Sequence, residues 1–338
     1  SQIAARGVIF TTFNVLKKHL KNKELYNFST FYDLCNEAQM NPPTALGIKY
    51  DTAKRILQDK STIDGVNLLK TIHFLNNSAD LALATLENIT KGYMSDLNSY
   101  YTLKPLIEEA LTVLVDAKVL LYSNNTYKIT SDLESRLLDE MNNYTSELYL
   151  KKRDYTSYLK KLSFFNGIAS INDEGTTYNF NILTDSEDDI KSSSNKHLKL
   201  TVYSPFNMQA KREDFIEEMK RTTQHTKEQI TLIPQNNTFE EIDKLIGEIR
   251  RYSAMIEKYA TDSDKDIATI IREFSTMKEE KEKYLLSLIE TACLEGTVIY
   301  LYEDVIVNKE SFRSAINEIQ KKLIKNIYTR RLSATLSE

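Results

Sequence analysis

The sequence predicts an α+β chain that is mainly helical, on three observations. Apolar residues recur at three- and four-residue spacing through most of the 338 positions, the periodicity of helices that bury one face. Alternation with period two is confined to short stretches, near 118–130 and 178–202, with apolar runs near 229–234 and 297–302. One proline pair, Pro42-Pro43, and Asn-Asn or Asp-Ser clusters punctuate the chain. The expected parts are a helical domain over 1–60, three helices with a hairpin over 61–130, a connector helix over 131–165, and a small α/β unit over 166–338. That unit would carry an antiparallel coiled-coil arm at about 238–293.

The first helix covers 3–20, with Ile3, Val8, Ile9, Phe13, Leu16 and Leu20 as its apolar stripe. Ser29 or Thr30 caps a second carrying Phe31, Leu34 and Cys35. Pro42-Pro43 breaks the chain, and a third helix over 50–59 carries Ala53, Ile56 and Leu57. These 60 residues hold nine basic and five acidic side chains. Asp64-Gly65 then opens a helix with Val66, Leu68, Leu69, Ile72 and Leu75; Asn76-Asn77-Ser78 ends it, and Leu81, Leu83, Leu86 and Ile89 form a second short face. Thr102 is expected to cap the next helix, with Pro105 in its first turn, where a missing N–H costs nothing. Asn124-Asn125 between two apolar segments is a hairpin signal. The order helix, helix, helix, hairpin resembles a winged-helix domain. Its last helix is acidic: between Thr102 and Ala117, Lys104 stands against Glu108, Glu109 and Asp116, and the hairpin adds only Lys118 and Lys128. A helix that enters the DNA major groove needs cations for the phosphates and Arg, Asn or Gln for the bases. Protein contact is the expected role.

Ser131-Asp132 starts the connector, whose stripe runs through Leu133, Leu137, Met141, Tyr144, Leu148, Tyr155, Leu159 and Leu162. Tyr178, Phe180 and Ile182 alternate, as do Leu198, Leu200 and Val202. The polar stretch between them, 185–194, reads as a mobile loop. A helix near 212–226 precedes a strand at 229–234. Ile242, Leu245, Ile249, Ile256 and Tyr259 mark one arm helix, and Ile267, Ile270, Phe274, Met277, Tyr284, Leu285, Leu288 and Cys293 the other. Gly296 ends it, a buried strand follows at 297–302, and a last helix holds Phe312, Ile316, Ile319, Leu323 and Ile327.

The chemistry is sparser. A net charge of −4 gives no polyanion signal, and Cys35 and Cys293 with four histidines show no metal spacing. A reduced, cytoplasmic protein with no membrane span is expected. No phosphate-cradling glycine loop, nucleophile elbow or zinc motif occurs. The acids at 185–189 with Lys191 or Lys199 are better read as a solvated loop than as a nuclease centre, and the run Glu279 to Lys283 as a solvated helix face. His73 reads as a packed histidine. Two basic clusters could touch phosphate nonspecifically: Lys151, Lys152, Arg153, Lys160 and Lys161, with Tyr155 and Tyr158 interleaved, and the tail with Arg330 and Arg331. Ordinary surface charge is the plainer reading of both.

The run Ser1-Gln2, Arg6-Gly-Val-Ile-Phe10, Phe13, followed by Phe28 and Phe31-Tyr-Asp-Leu34, resembles the start of the lid that follows the core of large AAA+/STAND-type P-loop ATPases. With the winged helix, the connector and a β-rich unit bearing a helical hairpin, the layout is similar to the region after the ATPase core in the large P-loop subunit of the BREX phage-defence system, the BrxC/PglY family. The resemblance implies that residues 1–60 are a lid-like helical domain, that this piece of a longer protein lacks the Walker motifs, and that the intact protein binds ATP and Mg. It implies a sensor-like role for Arg6 and contacts with the protein's own ATPase core and other defence subunits. The expected function is a non-catalytic regulatory and interaction region, binding no cofactor itself. The alternatives are a DNA-binding regulator using the basic connector and tail, and a structural module that forms a homo-oligomer through the arm.

Overall fold

The chain is α+β and mainly helical. The computed structural model describes residues 13–20, 27–38, 43–78, 82–194, 197–208 and 211–328. The chain divides into two compact units, 1–143 with 258–277, and 144–257 with 278–338.

The first unit contains α1 (Phe31–Ala38), α2 (Thr44–Leu57), α3 (Gly65–Asn76), α4 (Leu86–Tyr93), α5 (Tyr100–Asp116), the hairpin β1 (Leu120–Ser123) and β2 (Thr126–Ile129), and α6 (Asp132–Asn142). Each start has a local cause. Thr30 and Asp33 cap α1 reciprocally, Asp64 accepts from Asn67 N at the start of α3, Thr85 does the same for α4, and Ser131 with Glu134 forms a capping box on α6. Asn124 and Asn125 turn the hairpin with φ of 50° and 59°, as a tight hairpin turn requires. Ala84 O accepts from Tyr127 N at 2.9 Å, which ties the segment before α4 to β2. The winged-helix order of elements is present in full.

Four expectations fail here. The boundary at residue 60 does not separate two cores, because Tyr50, Ala53 and Leu57 of α2 pack in one cluster with Leu68, Leu69 and Ile72 of α3 and Ile107 and Leu111 of α5. Gly65 permits this by bringing the α3 backbone against the carbonyl of Ala53. The α5 helix starts earlier than Thr102: a 3-10 turn, Leu97–Ser99, feeds it, and Pro105 lies inside it. The missing N–H of Pro105 leaves the carbonyl of Tyr101, and Tyr101 is 86% exposed, where water can serve it. The first helix is described from residue 13, and there Val15 is buried while Phe13 and Leu16 are exposed. A π turn at Leu16–Leu20 takes this segment off 3.6-residue spacing. The connector is two helices, α6 and α7 (Leu148–Lys161), parted by 143–147. Asn142, Asn143, Thr145 and Ser146 cluster at the break, and such side chains compete with helical hydrogen bonds.

The second unit therefore begins near 144 rather than 166. After α7 come a two-stranded ribbon, β3 (Ser170–Asp173) with β4 (Thr176–Asn179), and a six-stranded sheet of order β10-β9-β8-β7-β5-β6. Its strands are β5 (Asn181–Thr184), β6 (Asp189–Lys191), β7 (Lys199–Val202), β8 (Gln229–Ile233), β9 (Thr297–Tyr300) and β10 (Glu303–Ile306). The central three, β5, β7 and β8, are parallel; β6, β9 and β10 run antiparallel to their neighbours. The crossover from β7 to β8 is α8 (Arg212–Thr223), and α9 (Phe239–Lys258) with α10 (Lys265–Leu294) is inserted between β8 and β9. α11 (Phe312–Ile327) follows β10. Ties from Lys281 to Glu248 and from Tyr284 to Glu241 make α9 and α10 antiparallel there, as expected of the arm. Residues 258–277, however, belong to the first unit, where Glu140 of α6 accepts from Lys258 and Tyr259 and Lys128 pairs with Glu273 at 3.0 Å.

One sheet face carries Ile182, Leu200, Ile230 and Val298 against α7, α10 and α11, whose Leu159, Leu285 and Ile316 are buried with them. The other carries Ile233 and Ile299 against Phe215 and Met219 of α8. The alternation read from 178 to 182 spans two elements, since Phe180 separates β4 from β5. The stretch 185–194 is not a free loop: it forms β6, and Thr184 Oγ1 accepts from the backbone N–H groups of Ser186 and Asp188.

Candidate interaction surfaces

The outward face of α5 presents Tyr101, Leu106, Glu108, Glu109, Thr112 and Asp116, all exposed, while Ile107, Ala110, Leu111 and Leu114 are buried behind it. Lys104 is half-buried. On the hairpin, exposed Tyr122 stacks against Tyr127 with ring centroids 4.6 Å apart and donates from its hydroxyl to Asn125 Oδ1 at 3.0 Å. Burial pushes the Tyr127 hydroxyl up to about 12, aided by Tyr122 and Glu108, so it stays protonated at neutral pH. The two hairpin lysines are committed: Lys118 pairs with Asp139 at 2.8 Å, and Lys128 with Glu134 at 2.6 Å as well as with Glu273. The surface is acidic and aromatic, with both hairpin lysines held in ion pairs.

The basic cluster on α7 is not a continuous cationic track. Lys151 pairs with Asp243 at 2.7 Å, and Lys152 donates to Asn207 Oδ1 at 2.6 Å. Arg153, Lys160 and Lys161 are exposed, with Lys161 Nζ 4.8 Å over the Tyr158 ring. Tyr155 and Tyr158 are both buried and present no face on which a base could stack. Arg6, Arg330 and Arg331 lie outside the described residues.

Lys152 belongs to a polar cluster that the sequence did not announce. At the carboxyl end of β5, Asp185 accepts from Ser204 N at 3.3 Å and from Asn207 Nδ2 at 2.6 Å. Burial raises its carboxyl above the ordinary value, and Asn207, Ser204 and Lys152 pull it back in part. Ser204 Oγ and the Tyr155 hydroxyl are buried without hydrogen-bond partners. Here the order of strands reverses, β6 lying to one side of β5 and β7 to the other, the kind of place where open sheets hold ligands. The bonds, however, hold the turn after β7 rather than facing an opening. Asp189 is turned to Asn181 and Ser192, so the acids of 185–189 do not converge, and among the described residues no group of three metal-binding side chains occurs. Arg212 is likewise spent on structure, donating to the carbonyls of Ile233 and Pro234 and to Thr297.

Each unit also has a cleft. One of 330 Å³ in the second unit is lined by Asp154, Tyr158, Lys161, Arg250, Glu257 and Glu282. Its charges are largely satisfied among themselves: Arg250 meets Asp154 at 2.6 Å and Tyr158 donates to Glu282 at 3.2 Å. The run at 279–283 is thus more than a solvated face, since Glu282 and Lys281 both bridge to other helices. The other cleft, of 700 Å³ in the first unit, is lined by Leu46, Lys49, His73, Ile129, Leu133 and Ile270 among others. Lys49 donates there to Thr130 and Ser135, and burial lowers its pKa. His73 is half-buried and its pKa is lowered by burial alone, which favours the neutral ring. Both cysteines are free and buried. Among the described residues no helix is long and apolar enough to cross a membrane. No protein-family model, curated protein or solved structure matches the chain.

Proposed function

We propose that this chain is a non-catalytic interaction region that receives a protein partner on the outward face of α5 and the adjoining hairpin. In this reading it is the part of a cytoplasmic BREX-type P-loop ATPase that follows the ATPase core. It relays nucleotide state from that core, where ATP and Mg are bound, to other defence subunits. The observation that carries the docking role is the α5 face itself: exposed Tyr101 and Leu106 are set among Glu108, Glu109 and Asp116, with both hairpin lysines held in ion pairs. Such a face suits a basic partner with an apolar contact and repels a phosphate backbone.

The test is charge reversal in the full-length protein. Glu108→Lys with Glu109→Lys is expected to weaken association with the ATPase core or partner subunits by about tenfold or more, while leaving the melting temperature nearly unchanged because both side chains are exposed. Full retention of partners would sink docking through α5. Duplex DNA, titrated by fluorescence anisotropy, is expected not to bind the wild-type chain even at low salt. Tight binding that falls steeply with salt would move the function to the basic surfaces instead.

A further inference from the structure

The two ends of the six-stranded sheet are treated differently. At one end, β6 has three residues and a register shift where it meets β5 at Ile182/Leu183. Its Ile190 is buried, and its Asp189 is tied to Asn181 and Ser192. Short length, irregular register and charge are the usual ways in which proteins close a sheet edge. At the other end, β10 is also short, at four residues, and carries two acids, but it has no break in register. It pairs in unbroken register with β9, all four of its residues are exposed, and Ile306 is 75% exposed. Its two acids do not guard it, because each is neutralised by a helix from a different face. Lys220 of α8 pairs with Asp304 at 2.8 Å, and Lys322 of α11 pairs with Glu303.

The register says which backbone groups are open. Val307 N donates to Gly296 O at 3.0 Å, continuing the pairs Val305 with Val298 and Glu303 with Tyr300. Hydrogen-bonding direction alternates along a strand, so residues 303, 305 and 307 face β9, and Asp304 and Ile306 face outward. No backbone or side-chain group bonds the outward N–H and C=O of these two among the described residues.

We propose that β10 pairs with β10 of a second copy of this chain, antiparallel, with the twofold axis at Val305. The open groups select this register. Asp304 of each copy faces Ile306 of the other as a hydrogen-bonded pair, using the free N–H and C=O of both. Val305 meets Val305 of the second copy as the close, non-hydrogen-bonded pair that suits β-branched side chains. The neutralised acids remove the like-charge repulsion that would otherwise oppose a symmetric contact. The strand is short, so the contact buries less than the ~1,200 Å² of a stable interface, and the dimer is weak, with a Kd on the order of 100 µM. This surface is separate from α5, and the inference does not depend on the reading proposed above.

Sedimentation equilibrium of the full chain from about 5 to 500 µM, a range bracketing that Kd, tests it. The wild type is expected to self-associate to a dimer. Ile306→Pro removes an outward N–H without touching a β9 bond, a position where edge strands accept proline, and is expected to weaken the dimer by tenfold or more. Ile306→Thr keeps the N–H and is expected to stay within about threefold of the wild type. Where Ile306→Pro alters the circular dichroism spectrum, Val305→Lys decides: it sets two lysines on the axis and is expected to yield monomer at low salt. A wild type that stays monomeric across the range overturns the proposal, as does a dimer that survives both substitutions.

Discussion

The first unit buries helices on helices, and the second buries helices on a sheet. In the first, Leu111 of α5 is fully buried in a cluster that includes side chains of α2, α3 and α4. In the second, Leu200 is fully enclosed on β7, whose backbone is held by β5 on one side and β8 on the other. The difference concerns how each responds to a void. Packed helices can slide to close one, whereas a central strand is fixed by two hydrogen-bonded ladders. The cost of a large-to-small substitution depends on how far the site can collapse. Leu200→Ala is therefore expected to cost about 4 kcal/mol and Leu111→Ala about 3 kcal/mol, read from urea unfolding of the full chain. Equal costs, or the reverse order, would break the contrast.

The same contrast can be sharpened by adding volume. Each unit has a glycine at which backbones touch. A Cβ on Gly65 would lie 2.5 Å from Ala53 O, and one on Gly296 would lie 2.6 Å from Ile233 O. Gly65 starts α3, which can shift as a rigid body away from α2. Gly296 lies between α10 and β9, and its own carbonyl accepts from Val307 N, so it cannot move without breaking sheet register. Overpacking of this kind costs about 1–3 kcal/mol. Gly296→Ala is expected at the upper end and Gly65→Ala at the lower, with hydrogen exchange raised along β8 and β9 in the first and along α2 and α3 in the second.

Most of the helices were legible in the sequence because they write their buried faces in a local period; the segment at 13–20 and the break at 143–147 were not. The arm, α11 and the turn at Asn124-Asn125 follow from residues that are neighbours along the chain. The sheet was legible only toward its centre, where Leu200 sits in an alternating stretch and Ile230 and Val298 sit in apolar runs. Its edges were not: Glu303-Asp-Val-Ile306 has no alternation, and the turn before it places Leu301 at φ 55°, a conformation no side-chain pattern announces. The ribbon β3–β4 was readable and missed, since Asp173-Glu174-Gly175 is a hairpin signal, and Glu174 and Gly175 both take positive φ. The shared core of α2 and α3 rests on one close backbone approach, which composition does not report. For the interaction surface, the acidity of α5 was visible as charge on one helical face. The commitment of Lys128 was not, because Glu273 is 145 residues away in sequence.

The smallest effect concerns a half-buried acid at the end of a strand. Burial raises the Asp185 carboxyl above the ordinary value near 3.8, and the donors Asn207 and Ser204 only partly offset this. A carboxyl whose folded pKa is raised binds its proton more tightly in the folded chain than in the unfolded one. Its contribution to stability is then largest at low pH and falls as pH rises from the ordinary value through the raised one. In Asp185→Asn the group no longer titrates, and one acceptor facing Asn207 and Ser204 is lost, a cost of about 1 kcal/mol. The difference in unfolding free energy, wild type minus variant, is expected to shrink as pH is raised from about 3.5 to 6.5, a window bracketing the ordinary carboxyl range. Leu111→Ala in the first unit, which carries no titrating change, should keep a constant difference over the same range. A difference that grows with pH would mean that the side-chain amide of Asn207 and the backbone N–H of Ser204, together with Lys152, outweigh burial at this turn, and that the end of β5 is a site prepared for negative charge.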